Sequence, residues 1–183
     1  MSNPYIALLR AINVGGHTVK MDLLRGLFEQ LGFEQVRTFI ASGNVIFDAP
    51  NQEVAALEPL IEEHLRAALG YEVKTFIRTA SEITTIAAHM PYSSETLPSG
   101  DYNLYVAFLN APPGDEAWQR LLTARSPIDD FALTQREIYW LCRTSISQSQ
   151  FDGARLEKLI GMPATVRNIT TVRKLAAKYG GDA

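Results

Sequence analysis

The order in which hydrophobic periodicity changes along the chain is the strongest constraint on its fold. "PYIALLRAI" (4–12) is a short apolar run followed by Gly15-Gly16, the pattern of a buried strand. It gives way to a helical period over 21–31, where Leu23, Leu24, Leu27, Phe28 and Leu31 form one stripe before Gly32. Two short β-rich runs follow, "VRTFIA" and "NVIFD", joined through Ser42-Gly43-Asn44. Gly43 is expected to supply the positive φ of a two-residue type II′ turn. A second helical period spans 52–69, with Pro59 predicting either a kink or a helix start at that point. "VKTFIR" reads as a fourth strand. Strand–helix–strand–strand–helix–strand is the ferredoxin-like unit. Thr79 and Glu82 have the spacing of a capping box that opens a further helix over 80–89.

The same order returns beyond residues 91–102, a stretch rich in Pro, Ser and Gly that reads as a linker. A strand at 103–109 and a helix at 115–124 precede a hairpin, "FALT" and "EIYWLC", that turns at Gln135-Arg136. A helix at 153–160, a short strand at 164–167 and a last helix at 169–179 complete the chain, with Asn168 as N-cap. The expected fold class is therefore α+β: two ferredoxin-like (βαββαβ) halves in tandem, plus a C-terminal helix. The first half, with its trailing helix, takes 1–90 and the second 103–183. The two halves share little residue identity, so the duplication rests on element order.

Composition narrows function mainly by exclusion. The 183 residues suit one domain of moderate size or two small ones. The single cysteine, Cys142, rules out an internal disulfide. No apolar stretch nears the roughly 18 residues of a membrane helix, and the N-terminus lacks a signal-peptide pattern. Together these point to the cytoplasm. A net charge of −3 gives no long-range attraction to nucleic acid. From Ala154 onward the balance is basic: Arg155, Lys158, Arg167, Arg173, Lys174 and Lys178 against Glu157 and Asp182. A solvated helix face explains that excess more simply than an anion patch. His17, His64 and His89 have no metal-ligand spacing, so no metal is expected, and no cofactor is nominated. Cys142 sits in an apolar run and reads as a core residue. Trp118, Trp140, Phe47 and Tyr105 lie in periodic apolar segments and read the same way. His64, beside Glu62-Glu63, is expected to be solvated. Glu62-Glu63 and Asp129-Asp130 are adjacent in sequence and do not face each other as a catalytic pair would.

Topology assembles one candidate site. In a ferredoxin-like half the loop after strand one and the turn between strands two and three lie at the same end, and strands one and three are neighbours. That brings together Arg10, Asn13, the Gly15-Gly16 amides, His17, Lys20, Ser42, Gly43 and Asn44. Glycine lets backbone approach a ligand, and amides before a helix N-terminus favour an anion. Taken singly, Gly15-Gly16 is more often a tight connection, Gly43-Asn44 is explained by a turn, and neither dinucleotide-binding nor P-loop spacing is present. An arginine closing a buried strand needs a partner, which makes Arg10 less ordinary. His17, in the glycine loop, is the one histidine placed for acid–base work.

"YIALLRAINVGGHTVKMDLLRGLFEQLGFEQVRTFIASGNVIF" resembles the opening of the bacterial family called domain of unknown function 1697, and "LEKLIGMPATVRNITTVRKLAA" resembles its closing segment. The resemblance implies a compact, intracellular α+β protein with two similar halves, and the family brings no established activity. Family-like positions are Arg10, Asn13, Gly15, Gly16, Met21, Ser42, Gly43, Asn44, Thr165, Arg167 and Asn168. Ala11, Gln150 and Ile169 depart from it, standing where Gly, Lys and Trp are usual. The preferred expectation is a site for a small anionic ligand, a phosphate- or carboxylate-bearing metabolite, with Arg167 and Asn168 as further candidates. The competing expectations are single-stranded RNA binding on an open sheet face, as in RNA-recognition modules, and a protein-interaction module, with a homodimer as one form of it.

Overall fold

The computed structural model describes residues 4–13, 16–40, 43–97, 102–145 and 148–180. In chain order the first seven elements are β1 (Tyr5–Leu9), α1 (Met21–Gln30), β2 (Glu34–Thr38), β3 (Asn44–Asp48), α2 (Val54–Leu69), β4 (Thr75–Thr79) and α3 (Ala80–Ala88). The next seven are β5 (Asn103–Phe108), α4 (Asp115–Leu122), β6 (Asp129–Thr134), β7 (Glu137–Cys142), α5 (Gly153–Ile160), β8 (Thr165–Asn168) and α6 (Ile169–Tyr179). The fold is α+β, with two βαββαβ halves in tandem. Each half holds a four-stranded antiparallel sheet, in the orders β2-β3-β1-β4 and β6-β7-β5-β8. Two compact units emerge, 1–85 with 175–183 and 86–174, so the divisions fall inside α3 and α6.

Local chemistry explains most of the boundaries. Thr79 and Glu82 form the capping box: the Glu82 amide donates to Thr79 Oγ1 at 3.2 Å and the Thr79 amide to Glu82 Oε2 at 2.7 Å. Asn168 Oδ1 accepts the Thr170 amide at 2.8 Å at the start of α6. Gln135, at φ 52, turns the β6–β7 hairpin in two residues, between paired Thr134 and Glu137. Pro59 neither starts nor divides its helix. α2 begins at Val54 and runs unbroken to Leu69, so it tolerates the proline as its sixth residue, past the first-turn positions where a missing amide costs no helical bond.

The first unit packs α1 and α2 on one face of its sheet. Ala7, Leu9, Val45, Phe47 and Ile77 meet Leu24, Phe28, Leu57, Ile61 and Leu65. Phe47 lies at the centre, its ring 4.5 Å from Phe33 and 5.4 Å from Phe28. In the second unit Trp140 takes the corresponding place, 4.9 Å from Tyr105 and 5.1 Å from Phe151. The opposite sheet faces are buried as well: Ile6, Leu8 and Phe76 in one, Leu104, Val106, Phe108 and Leu141 in the other. Tyr92, within the stretch read as a linker, is buried and donates to Tyr139 O at 2.9 Å.

The sheet registers put the two halves in step, with β1 and β5 each paired between the equivalent neighbours. Tyr5, Ala7, Leu9 and Ala11 correspond to Tyr105, Ala107, Leu109 and Ala111. Arg78 opposes Ile6, and Arg167 opposes Val106. Both arginines are buried, and each donates Nη1 to the carbonyl of the residue before it, at 2.8 and 3.0 Å. Desolvation lowers the Arg167 guanidinium to about 10, which still leaves it charged at neutral pH.

The free edge of β4 is closed by carboxylates. Ile77 N donates to Glu58 Oε1 at 2.8 Å and Thr75 N to Glu62 Oε1 at 3.0 Å. The match is geometric: four residues of helix rise about 6 Å, close to the roughly 6.6 Å of two strand residues. In the second half Glu157 Oε1 takes the Ala164 amide at 2.7 Å, just ahead of β8. Bare strand edges recruit other strands, so these acceptors guard against self-association.

Cys142 is fully buried in its strand, with Sγ donating to Thr144 O at 3.3 Å. Burial pushes its thiol up, so the reactive thiolate is scarce. Iodoacetamide at pH 8 should label the folded protein on the order of 100-fold more slowly than free cysteine. Rapid labelling without denaturant would contradict this placement.

Candidate functional site

The end of β1 is held from both sides. Leu9 N donates to Gly43 O at 2.8 Å, and Arg10 N to Lys74 O at 2.8 Å. Three connections therefore meet at one rim of the first sheet: 10–20, 39–43 and 70–74. The first two are packed in direct contact, because a Cβ placed on Gly43 would lie 3.0 Å from Ile12 Cβ. Gly43 has φ +74, as its position demanded.

The β2–β3 connection differs from the expected two-residue turn. β2 ends at Thr38 and β3 begins at Asn44, so the chain loops through 39–43. Phe39 N bonds Asn44 O at 2.9 Å, and Asn44 Nδ2 bonds Phe39 O at 3.0 Å. Asn44 is fully buried. Its amide closes the connection and faces away from solvent, which corrects its expected place among the ligand-facing groups. Ile40, a β-branched residue, is held at φ 49 in the same connection.

The β1–α1 loop is anchored from within. Ile12 and Val19 are buried, and Asn13 Oδ1 accepts the Val19 amide at 2.7 Å. Ala11 at φ 64, Asn13 at φ 56 and Gly16 at φ 89 are all left-handed. Such strain costs about 1 kcal/mol or more per non-glycine residue and concentrates at functional sites. On this framework Arg10, Gly16, His17 and Lys20 face solvent. Lys20 occupies the N-cap position of α1, whose first-turn amides point toward the loop. Gly15 and Ser42 lie outside the described residues.

Two residues join the rim that the sequence had not nominated. The Tyr71 ring stacks on His17, with centroids 3.9 Å apart and planes at 22°. Lys74 Nζ pairs with Glu62 at 2.8 Å, and that contact, with the charge of Glu62, raises the lysine's pKa. Ferredoxin-like topology would have supplied both, because β4 starts beside the end of β1. A cleft of about 240 Å3 opens nearby, lined by Glu62, Glu63, Glu72, Arg66 and Lys74. Its acidic balance makes it the wrong place for an anion.

The other nominated residues have structural roles in the second unit. Arg167 is buried in β8, donating to Thr165 Oγ1 at 2.8 Å, and Asn168 caps α6. His64 is half-buried on α2, contrary to the solvated position expected for it. His89 follows α3, with Nε2 3.3 Å from Thr134 Oγ1. Among the described residues no group of three or more His, Cys, Asp or Glu is placed to hold a metal ion. Among those residues, too, no helix is long and apolar enough to cross a membrane.

The model of the family described as "Protein of unknown function (DUF1697)" matches residues 2–139. The chain belongs to the DUF1697 family. The loop and turn of the rim lie inside the matched stretch; the closing segment that resembles the family lies beyond it. The solved structure of a conserved bacterial protein from Streptococcus pneumoniae has a TM-score of 0.75 to this DUF1697 member at 20% identity. The match covers 97% of this chain and 98% of the other, so the two share a fold over their full lengths. Among curated proteins nothing matches the chain.

Proposed function

We propose that the first half binds a small anionic ligand, a phosphate- or carboxylate-bearing metabolite, at the rim formed by the β1–α1 loop. One observation carries the reading. The buried anchors Ile12 and Val19 and three left-handed residues fix the loop's path, while Arg10, Gly16, His17 and Lys20 are presented to solvent. Preorganised cations and amides before a helix N-terminus favour an anion without a large ordering cost. Lys20 and Arg10 supply charge. The His17–Tyr71 stack gives a planar, partly apolar wall beside them. No reaction is assigned to the site. A cytoplasmic setting is supported by the one cysteine, Cys142, which is free and buried.

Thermal denaturation across a panel of phosphorylated and carboxylate metabolites tests the proposal. A ligand at ten times its Kd stabilises by about 1.4 kcal/mol, a rise of roughly 3–6 °C in Tm for a chain of this size. Arg10→Ala should lose most of the ligand-induced rise, measured against that variant's own melting temperature without ligand; its backbone bond to Lys74 is retained. A panel without effect on the wild type, or a variant that responds equally, would remove the support for this site.

A further inference from the structure

We propose that the second half carries a separate cleft for a free zwitterionic amino acid, whose ammonium pairs with Asp129 and whose carboxylate pairs with Arg155. The cleft, of about 300 Å3, lies between the start of β6 and the segment leading into α5. That volume is at the small end of ligand sites and suits a molecule of amino-acid size.

Asp129 supplies the first half of the recognition. Asp129 is one of the residues lining the cleft, and it is only 5% exposed. Trp140 Nε1 donates to Oδ1 at 2.8 Å, and Ser149 Oγ reaches Oδ1 at 3.0 Å and Oδ2 at 2.9 Å. These donors are neutral. They solvate the carboxylate without balancing its charge, and a buried anion is stabilised most by a cation. The cations of this corner go to the neighbouring acid instead. Arg125 Nε pairs with Asp130 at 2.7 Å, and Arg143 Nη2 approaches Asp130 at 3.4 Å. Strand alternation separates the two acids, turning Asp129 inward with Phe131 and Trp140 and leaving Asp130 to the arginines.

Arg155 supplies the second half. It is exposed at the mouth of the same cleft, its guanidinium 5.9 Å from the Phe151 ring centre and Nη1 donating to Gln150 O at 3.3 Å. Both contacts leave guanidinium N–H groups available for a bidentate carboxylate. A carboxylate alone would meet Asp129 as a like charge, and an amine alone would meet Arg155. A molecule carrying both charges on one carbon, as an α-amino acid does, satisfies the two together. The site is independent of the anion rim in the first half.

Calorimetric titration of the full chain with each of the twenty amino acids at millimolar concentration is the test. At least one should bind, and its N-acetyl derivative and its decarboxylated amine should each bind at least tenfold more weakly. Arg155→Ala should weaken binding at least tenfold with an unchanged circular dichroism spectrum and melting temperature. Asp129→Asn should do the same if it folds; the analogue pair and Arg155→Ala decide the matter if it does not. Arg10→Ala should bind the amino acid like wild type. The proposal is overturned if no amino acid binds, if either analogue binds as well as its parent, or if Arg155→Ala is without effect.

Discussion

Replacing Gly43 by alanine should destabilise the protein by about 2–5 kcal/mol, the largest effect expected of any single substitution proposed for this chain. Two costs add. At φ +74 an alanine Cβ meets its own backbone, a penalty of about 1–2 kcal/mol. The new methyl would also lie 3.0 Å from Ile12 Cβ and 3.2 Å from Leu9 Cβ. Those atoms are fixed directly to the backbone, so no rotamer change relieves the contact, and the strand end or loop must move at a further cost of about 1–3 kcal/mol. The fall in Tm should be on the order of 10 °C. Gly16→Ala is the control. Its φ is +89 but nothing lies within 4 Å of the new Cβ, so only the backbone penalty applies. Equal losses for the two variants would mean that the two connections do not press against each other as described. Because the movement displaces the loop that carries Arg10 and His17, Gly43→Ala should also abolish the ligand-induced stabilisation.

Removing Glu58 and Glu62 together, as Glu58→Ala with Glu62→Ala, should cost about 2–4 kcal/mol and promote self-association. Each carboxylate accepts an amide from the open edge of β4, at 2.8 Å from Ile77 and 3.0 Å from Thr75. Charge-assisted bonds of this kind are stronger than neutral ones, and truncation leaves two strand amides without their acceptors. The Lys74–Glu62 ion pair adds little, being 37% and 23% exposed at its two ends. Denaturant titration measures the loss, and sedimentation measures the association. The double glutamine variant keeps a carbonyl acceptor at each site and should recover roughly half of the stability. A double alanine variant with the association state and stability of wild type would show that the carboxylates are incidental to the edge.

The rim and the edge illustrate what is legible in a chain like this and what is not. Element order was readable because each element writes its own period. The stripe of Leu24, Leu27 and Phe28 announces α1 wherever the helix docks. The Thr79–Glu82 box and the Asn168 cap were readable because their partners are two or three residues away. Gly43's left-handed backbone was readable because few other residues adopt it. The length of the β2–β3 connection is not legible, since Asn44 looks like a turn residue until its pairing with Leu8 places it in β3. Tyr71 and Lys74 were missed for a similar reason: they reach the rim only after β4 has paired with β1.

The sequence by itself determined the alternation of strands and helices, the caps, the apolar faces and the conformation at Gly43, all properties of short stretches of chain. Tertiary structure alone decided that Asn44 turns inward while His17 stands outside against Tyr71, that Glu58 and Glu62 close a strand edge, and that Asp129 is buried among neutral donors while Asp130 takes the arginines. The physical reason is that burial and hydrogen bonding depend on which distant segment arrives next to a residue. That is set by sheet register and by the closing of helices over it, and no local pattern encodes it.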